Sequence, residues 1–300
     1  MSVNDNAAIS VKPKLLIVGG DRRFSYLYDA FLQDGFRVYS YASPSPDIKS
    51  EYDLPSALKK ADAVILPYPL SPDGVFLNSI GTTSISLRSL FSEISKNDIK
   101  QVFAGAVKTD IMSMASSLGV DIIDYSHSEA LLLKNAICTA EGALEILLRE
   151  LPVTICDNVF TVIGYGRIGR MIAVRLRSLG ATVNAVARKK SDLALMVSDG
   201  VTPYDYCYFS SALSDSCAVI NTVPATVLDS EILEFIKKDT LILDLASSPG
   251  GVDRDAAISL GIKVIWALSL PGKACPKSAA MIIKDALCDL LLQDTDKTEL

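Results

Sequence analysis

The sequence predicts an α/β protein of two doubly wound, parallel-sheet domains linked by helices, and three observations carry that prediction. Short runs rich in Val, Ile and Leu recur along the chain and are apolar on both faces, the pattern of strands covered by helices on both sides of a sheet. Segments with helical spacing lie between them. The length of 300 residues, 49% hydrophobic and 21% charged, suits two globular domains better than one.

In chain order, the first series is "KLLIVGG" (14–20), "FRVYSYA" (36–42), "ADAVILPYP" (61–69), "QVFAGA" (101–106) and "VDIIDYS" (120–126), with helical spacing in "FSYLYDAFLQDG" (24–35). It predicts an N-terminal α/β domain over 1–126. A connecting helical segment is expected over 127–151. Its main helix covers 139–151 after a break near Lys134–Cys138, and Pro152 ends it. Ala140, Ala143, Leu144, Leu147, Leu148 and Leu151 recur at intervals of three and four, so one side of that helix is expected to be buried. A second series follows: "NVFTVIGYG" (158–166), "ATVNAVAR" (181–188), "SCAVINTVP" (216–224), "DTLILDLAS" (239–247) and "IKVIWALS" (262–269). It predicts a second domain over 152–275. "PKSAAMIIKDALCDLLLQ" (276–293) reads as a C-terminal helix within 276–300, expected to pack back toward the N-terminal domain. The first thirteen residues and the tail "DTDKTEL" are polar and expected to be loose.

Composition excludes several classes. A net charge of −6 argues against nucleic-acid binding, which wants a basic face. No apolar run approaches the roughly 18 residues of a membrane span, and "MSVNDNAAISVKPK" lacks the apolar core of a secretory signal. The six cysteines are scattered without a C-x-x-C pair and are expected to be reduced in a cytoplasmic protein. With His127 the only histidine, no metal site is expected.

The stretch "VIGYGRIGR" (162–170) carries the chemistry. An apolar strand precedes it and an amphipathic segment, "RMIAVRLRSLG" (170–180), follows, which is the strand–turn–helix setting of a Rossmann-like dinucleotide site. Gly164 is expected to allow the tight turn, Gly166 to let backbone approach a pyrophosphate, and Gly169 to let helix and strand pack closely. Tyr165, Arg167 and Ile168 belong to the same turn, at a helix start whose free N–H groups favour an anion. NAD proteins usually place an acidic residue at the end of the next strand to bond the ribose 2′-OH. Here "VARKK" offers Arg188 and Lys189 and no carboxylate, so NADP is expected, with NAD the alternative. Asn221, Thr222, Val223, Pro224, Ala246 and Ser247 follow later strands and are candidates to line the nicotinamide side.

The plan of a first α/β domain, a connecting helix, a dinucleotide domain and a terminal helix resembles the D-2-hydroxyacid dehydrogenases. Those enzymes use a histidine after the dinucleotide strands, whereas His127 precedes the glycine turn. "IVGGDRR" (17–23), "NAICTAEGA" (135–143), "INTVPATVL" (220–228), "LILDLASSPGGVD" (241–253) and "LSLPGKACPKSAA" (268–280) together resemble the A-subunit family of dipicolinate synthases, from about residue 14 to about residue 292. Ser248 stands where a basic residue is expected in that family, and Cys275 where alanine is expected.

The resemblance implies NADP-linked oxidation of dihydrodipicolinate to dipicolinate in bacterial sporulation, in the mother-cell cytoplasm. It also implies a partner, the B subunit. A homo-oligomer is expected as well. A substrate with two carboxylates needs cations or N–H groups. "GGDRR" places Arg22 and Arg23 at a strand end opening a helix, a natural anion site, and Lys273, Lys277 and Ser278 are further candidates. Glu141 is the best base on offer, with His127 second. Two other readings stay open: a generic NADP-dependent 2-keto or hydroxy acid oxidoreductase, and a non-catalytic NADP-binding subunit.

Overall fold

The structure is a computed structural model that describes residues 12–80 and 84–293. Apart from Lys12 and Pro13, the polar ends expected to be loose lie outside the described residues. The chain divides into two compact units, residues 1–131 with 276–300 and residues 132–275.

The first unit holds a parallel sheet of β1 (Leu15–Val18), β2 (Val38–Tyr41), β3 (Ala63–Ile65), β4 (Gln101–Ala104) and β5 (Ile122–Asp124), in the order β2-β1-β3-β4-β5. Helices α1 (Arg22–Gln33), α2 (Leu54–Leu58), α3 (Leu87–Lys96) and α4 (Thr109–Ser117) connect the strands. Period-2 alternation divides the strand residues between the two faces. Leu15, Ile17, Ile65 and Phe103 pack with Phe24, Leu27 and Phe31 of α1. Leu16, Val18, Val64 and Val102 pack with Leu90, Phe91 and Ile94 of α3. Each such side chain, once fully buried, contributes about 1.5–3 kcal/mol. A terminal helix, Pro276–Gln293, adds Ala280, Ile283 and Leu287 to the α1 side of this core.

Helix α5 (Glu129–Glu150) carries the chain from the first unit into the second. It is continuous through Lys134–Cys138, where the sequence suggests a break. Lys134, Asn135, Ala136 and Ile137 contain no proline or glycine, and Ala136 and Cys138 are buried, so packing sustains the helix across the polar pair.

The second unit is a six-stranded parallel sheet: β6 (Val159–Ile163), β7 (Thr182–Ala187), β8 (Thr202–Asp205), β9 (Ala218–Asn221), β10 (Leu241–Asp244) and β11 (Lys263–Trp266), ordered β11-β10-β9-β6-β7-β8. It also contains α6 (Arg167–Ser178), α7 (Lys190–Ser198), α8 (Phe209–Leu213), α9 (Ser230–Leu233), α10 (Arg254–Leu260) and α11 (Leu270–Ala274). The terminal helix is therefore α12. Ala140, Ala143 and Leu147 of α5 and Ile172, Ala173 and Leu176 of α6 cover one face of the sheet. Residues of α8, α9 and α10 cover the other. The strand order reverses between β6 and β9, the position where open α/β sheets bind ligands. Strand β8 has no counterpart in the apolar runs, because it is an exposed edge strand containing Pro203.

Candidate functional site

The glycine turn lies at the carboxyl end of β6, beside the strand-order reversal. Gly164 has φ +87°, the left-handed region that favours glycine. Gly166 is the N-cap of α6 and has no side chain to cap it, so no capping group of its own competes with an anion at the start of this twelve-residue helix. A Cβ on Gly169 would lie 2.0 Å from the carbonyl oxygen of Gly164, so only glycine permits this helix–strand approach. A Cβ on Gly166 would meet nothing within 4 Å, and its open side is where a pyrophosphate can come against backbone. The residues therefore fit a dinucleotide phosphate. Thr222 sits beneath the turn, its Oγ1 donating to the carbonyl of Ile163 at 2.8 Å.

The other residues of the turn divide by role. Tyr165 is buried and donates its hydroxyl to Asp199 at 2.9 Å, and Arg170 forks onto the same carboxylate at 2.7 and 3.0 Å. Arg170 chiefly, by its hydrogen bonds, holds the Asp199 carboxyl below its ordinary range. Burial first, then Asp199, pushes the Tyr165 phenol up. Arg167 is exposed on the first turn of α6, and Ile168 is partly buried against the core.

A cleft of about 130 Å³ is lined by Gly164, Tyr165, Val186, Ala187, Arg188, Lys189, Asp192, Tyr206 and Val223. Arg188 and Lys189 are exposed at the end of β7. Asp192, in the first turn of α7, is a carboxylate that the reading of "VARKK" alone missed. It stands three residues past the strand-end loop, and one turn of helix brings it back to the cleft. Burial raises the phenol of Tyr206, which Arg188 opposes.

The candidates after β9 and β10 are only partly exposed to a ligand. Asn221 is fully buried. Its Nδ2 donates to Asp244 Oδ1 at 2.8 Å and to the carbonyl of Val223 at 3.0 Å, and its Oδ1 accepts the Val223 N–H at 3.0 Å. Asp244, also buried, accepts the N–H groups of Ala246 at 3.1 Å and Gly251 at 2.9 Å. This pair fixes both strand-end loops. Asn221 thus positions the loops rather than lining a cleft, and its buried partner Asp244 is a carboxylate the sequence reading overlooked. Ala246 is buried and its carbonyl accepts Trp266 Nε1 at 2.8 Å. Val223, Pro224 and Ser247 keep exposed surface at these loops.

The first-unit anchor requires correction. "GGDRR" is not an open anion site, because Asp21 caps α1 with its own carboxylate. That carboxylate accepts the Arg23 N–H at 3.0 Å, Nε at 2.9 Å and Nη2 at 2.8 Å. Arg23 is buried and also donates to the carbonyl of Tyr68, so its charge is already matched. Gly19 and Gly20 admit the 77–80 segment instead of a ligand: the Gly20 N–H donates to the Asn78 carbonyl at 2.9 Å. Arg22 is exposed and lines a cavity of about 720 Å³ with Tyr26, Tyr28, Asp29 and Lys49. Lys277 and Ser278 are exposed on α12.

The two base candidates belong to different units. Glu141 lies twelve residues into α5, beyond reach of the helix N-terminus. Its carboxylate is exposed, 3.7 Å from Arg175, and lines a cavity of about 610 Å³ with Glu145, Arg149, Trp266, Lys273 and Cys275. None of the residues lining that cavity lines the glycine-turn cleft. His127 belongs to the first unit, exposed, with Nδ1 3.3 Å from the Asp124 carbonyl oxygen. Among the described residues no group of three or more His, Cys, Asp or Glu is placed to hold a metal, and no helix is long and apolar enough to cross a membrane.

Comparison with known proteins agrees with this architecture. Residues 14–126 match the family described as the N-terminal domain of the dipicolinate synthase A subunit. The A subunit of dipicolinate synthase from Bacillus subtilis (strain 168) is 27% identical over 289 residues, covering 93% of this chain and 96% of the relative. The crystal structure of the corresponding A subunit from Bacillus halodurans aligns with a TM-score of 0.84 at 26% identity, covering 94% of this chain and 98% of that one. The apo-structure of D-lactate dehydrogenase from Escherichia coli shares the fold, with a TM-score of 0.64 at 15% identity over 94% of this chain and 97% of that one. The chain resembles the A subunit of dipicolinate synthase along nearly its whole length.

Proposed function

We propose that this chain, a relative of the A subunit of dipicolinate synthase, is the NADP-dependent dehydrogenase subunit that oxidises dihydrodipicolinate to dipicolinate, pyridine-2,6-dicarboxylate, during bacterial sporulation. The observation that supports it most is the glycine N-cap of α6 at Gly166, which has no capping side chain, together with Arg188 and Lys189 at the end of β7. The nicotinamide cofactor, when bound, supplies the hydride acceptor. The chain's residues bind and orient: α6 N–H groups hold the pyrophosphate, and Arg188 and Lys189 hold the 2′-phosphate. The Asn221–Asp244 pair keeps the β9 and β10 loops fixed where Val223, Pro224 and Ser247 meet the nicotinamide side. Arg22, Lys273 and Lys277 are exposed cations without an ion-pair partner among the described residues, and are the carboxylate partners in this reading, with Ser278 a further candidate. The proton leaving the ring goes to Glu141 or, as second candidate, His127. Aromatisation makes the step downhill, so a modest base suffices. The B subunit is the expected partner, the chain forms a homo-oligomer, and both act in the mother-cell cytoplasm.

A second reading is a non-catalytic NADP-binding subunit, favoured by Glu141 lining a different cavity of the second unit from the glycine-turn cleft. One assay separates the two. Full-length chain, with and without a B subunit, is given NADP and dihydrodipicolinate, and pyridine dicarboxylate and NADPH are measured together. Equimolar formation of both products, abolished by Glu141→Gln with NADPH affinity retained, is the expected result. NADPH binding without turnover under either condition would establish the second reading.

A further inference from the structure

We infer that Cys138 and Cys275 are an oxidisable thiol pair, a modification site at which a hydroperoxide joins the two sulfurs into a disulfide. Both residues belong to the second unit. The thiol of Cys275 rests 3.6 Å from the backbone carbonyl oxygen of Cys138, so its sulfur already lies beside that residue. The approach is built into the packing of α5 against α11. A Cβ on Gly142 would lie 3.0 Å from the Cβ of Ala274 and 3.2 Å from that of Leu270. Glycine at 142 therefore brings the helices almost into backbone contact. Cys138 is one helical turn earlier on the same side of α5, and Cys275 directly follows Ala274. A disulfide needs Cβ atoms about 3.5–4.5 Å apart, and the close packing at Gly142 with the 3.6 Å approach of Cys275 Sγ to Cys138 is the geometry from which that bond is inferred.

The two thiols differ in access. Cys275 is half-buried and lines the cavity of about 610 Å³, so an oxidant from solvent meets it first. Cys138 is 3% exposed. Burial, then the neighbouring Cys275 thiol, pushes Cys138 up to about 12, so Cys138 is the less reactive thiol toward the peroxide. The chemistry balances. The Cys275 sulfur attacks one peroxide oxygen, the O–O bond breaks, and the departing hydroxide takes the thiol proton and leaves as water, giving a sulfenic acid. The Cys138 sulfur then attacks that sulfur, its proton goes to the departing hydroxyl, and water leaves. Net, two thiols and one hydroperoxide give one disulfide and, for hydrogen peroxide, two waters. All six cysteines are free in the structure, which is the reduced form of this pair. The bond would tie α5 to the residue at which the chain leaves the second unit, since Pro276 begins α12 in the first.

The test uses full-length protein, reduced, freed of reductant and treated with hydrogen peroxide. It is then alkylated and digested without reduction for mass spectrometry. The expected result is a 138–275 linked peptide, a loss of two Ellman-reactive thiols under denaturing conditions, and full recovery with dithiothreitol. Cys275→Ser, at a half-buried position, should abolish the link and leave Cys138 reduced. Cys138→Ser should leave Cys275 to be trapped as a sulfenic acid by dimedone. Control variants Cys156→Ser and Cys207→Ser, both exposed, should leave the link unchanged. The inference is overturned if Cys275 passes to sulfinic acid with Cys138 still alkylated, or if the disulfide recovered links other cysteines.

Discussion

At the scale of single residues, two glycines of one turn do different work. Gly169 is required by packing: a methyl group 2.0 Å from the Gly164 oxygen must push α6 off β6. Gly166 has open space beside it and φ −78°, which alanine adopts without strain. Gly169→Ala should therefore lose stability to the extent seen for overpacked cores, about 1–3 kcal/mol or more. Gly166→Ala should change stability by less than about 1 kcal/mol, since lost N-cap preference and reduced unfolded-state entropy oppose each other. Its methyl group should still weaken NADPH binding at least tenfold. Urea denaturation and fluorescence titration of both variants check the contrast, and equal stability losses would contradict it. Arg188 and Asp192 line the same cleft, so cofactor choice is a contest between a cation and a carboxylate. Arg188→Asp should weaken NADPH relative to NADH by about 1–3 kcal/mol, roughly ten- to hundredfold, if the 2′-phosphate rests on that arginine. Wild-type protein that binds NADH more tightly than NADPH would give the contest to Asp192.

At the scale of elements, Asp199 ties α7 to α6. It is the C-cap of α7, and it receives Arg170 of α6 and the Tyr165 hydroxyl. Arg170 lowers its carboxyl, so the folded state binds this proton less readily than the unfolded chain. The stabilisation is then complete above the unfolded carboxylate value of about 3.9 and is lost as pH falls through the lower folded value. Arg170 is half-exposed, and solvent screening limits the ion pair to roughly 1 kcal/mol or less. Asp199→Asn should lower Tm near pH 7 by a few degrees and flatten the decline of Tm below about pH 4. A series of melts from pH 3 to pH 7 reads both effects. An unchanged acid slope would mean that the pair contributes nothing.

At the scale of the molecule, the second unit is one continuous stretch and the first is not. Residues 132–275 contain the whole six-stranded sheet and every residue that lines the glycine-turn cleft. A fragment of those residues should fold and bind NADPH within about tenfold of the full chain, because binding energy resides in contacts the fragment keeps. The first unit needs α12, which adds Ala280, Ile283 and Leu287 to the core around Phe24 and Phe31. Residues 12–131 alone should therefore expose that apolar face and aggregate. Circular dichroism, NADPH titration and gel filtration of the two fragments check this, and a soluble, cooperatively melting 12–131 fragment would refute it.

The sequence by itself determined what depends on short-range pattern. Apolar runs marked ten of the eleven strands among the described residues, because strands covered by helices carry Val, Ile and Leu even where, as in β2, β5 and β11, the edge position leaves them only partly buried. The glycine turn was legible because its three glycines and its flanking strand and helix all lie within one local stretch. Strand β8 escaped because an exposed edge needs no apolar run. Only the tertiary structure decided which polar residues remain for a ligand. Asp21 takes the α1 N-terminus and Arg23, Asp244 takes Asn221, and Asp192 enters the cleft, all matters of partners that spacing alone does not assign. A charged side chain in a sequence is a free cation or anion until folding supplies its counter-charge, and burial makes that pairing obligatory.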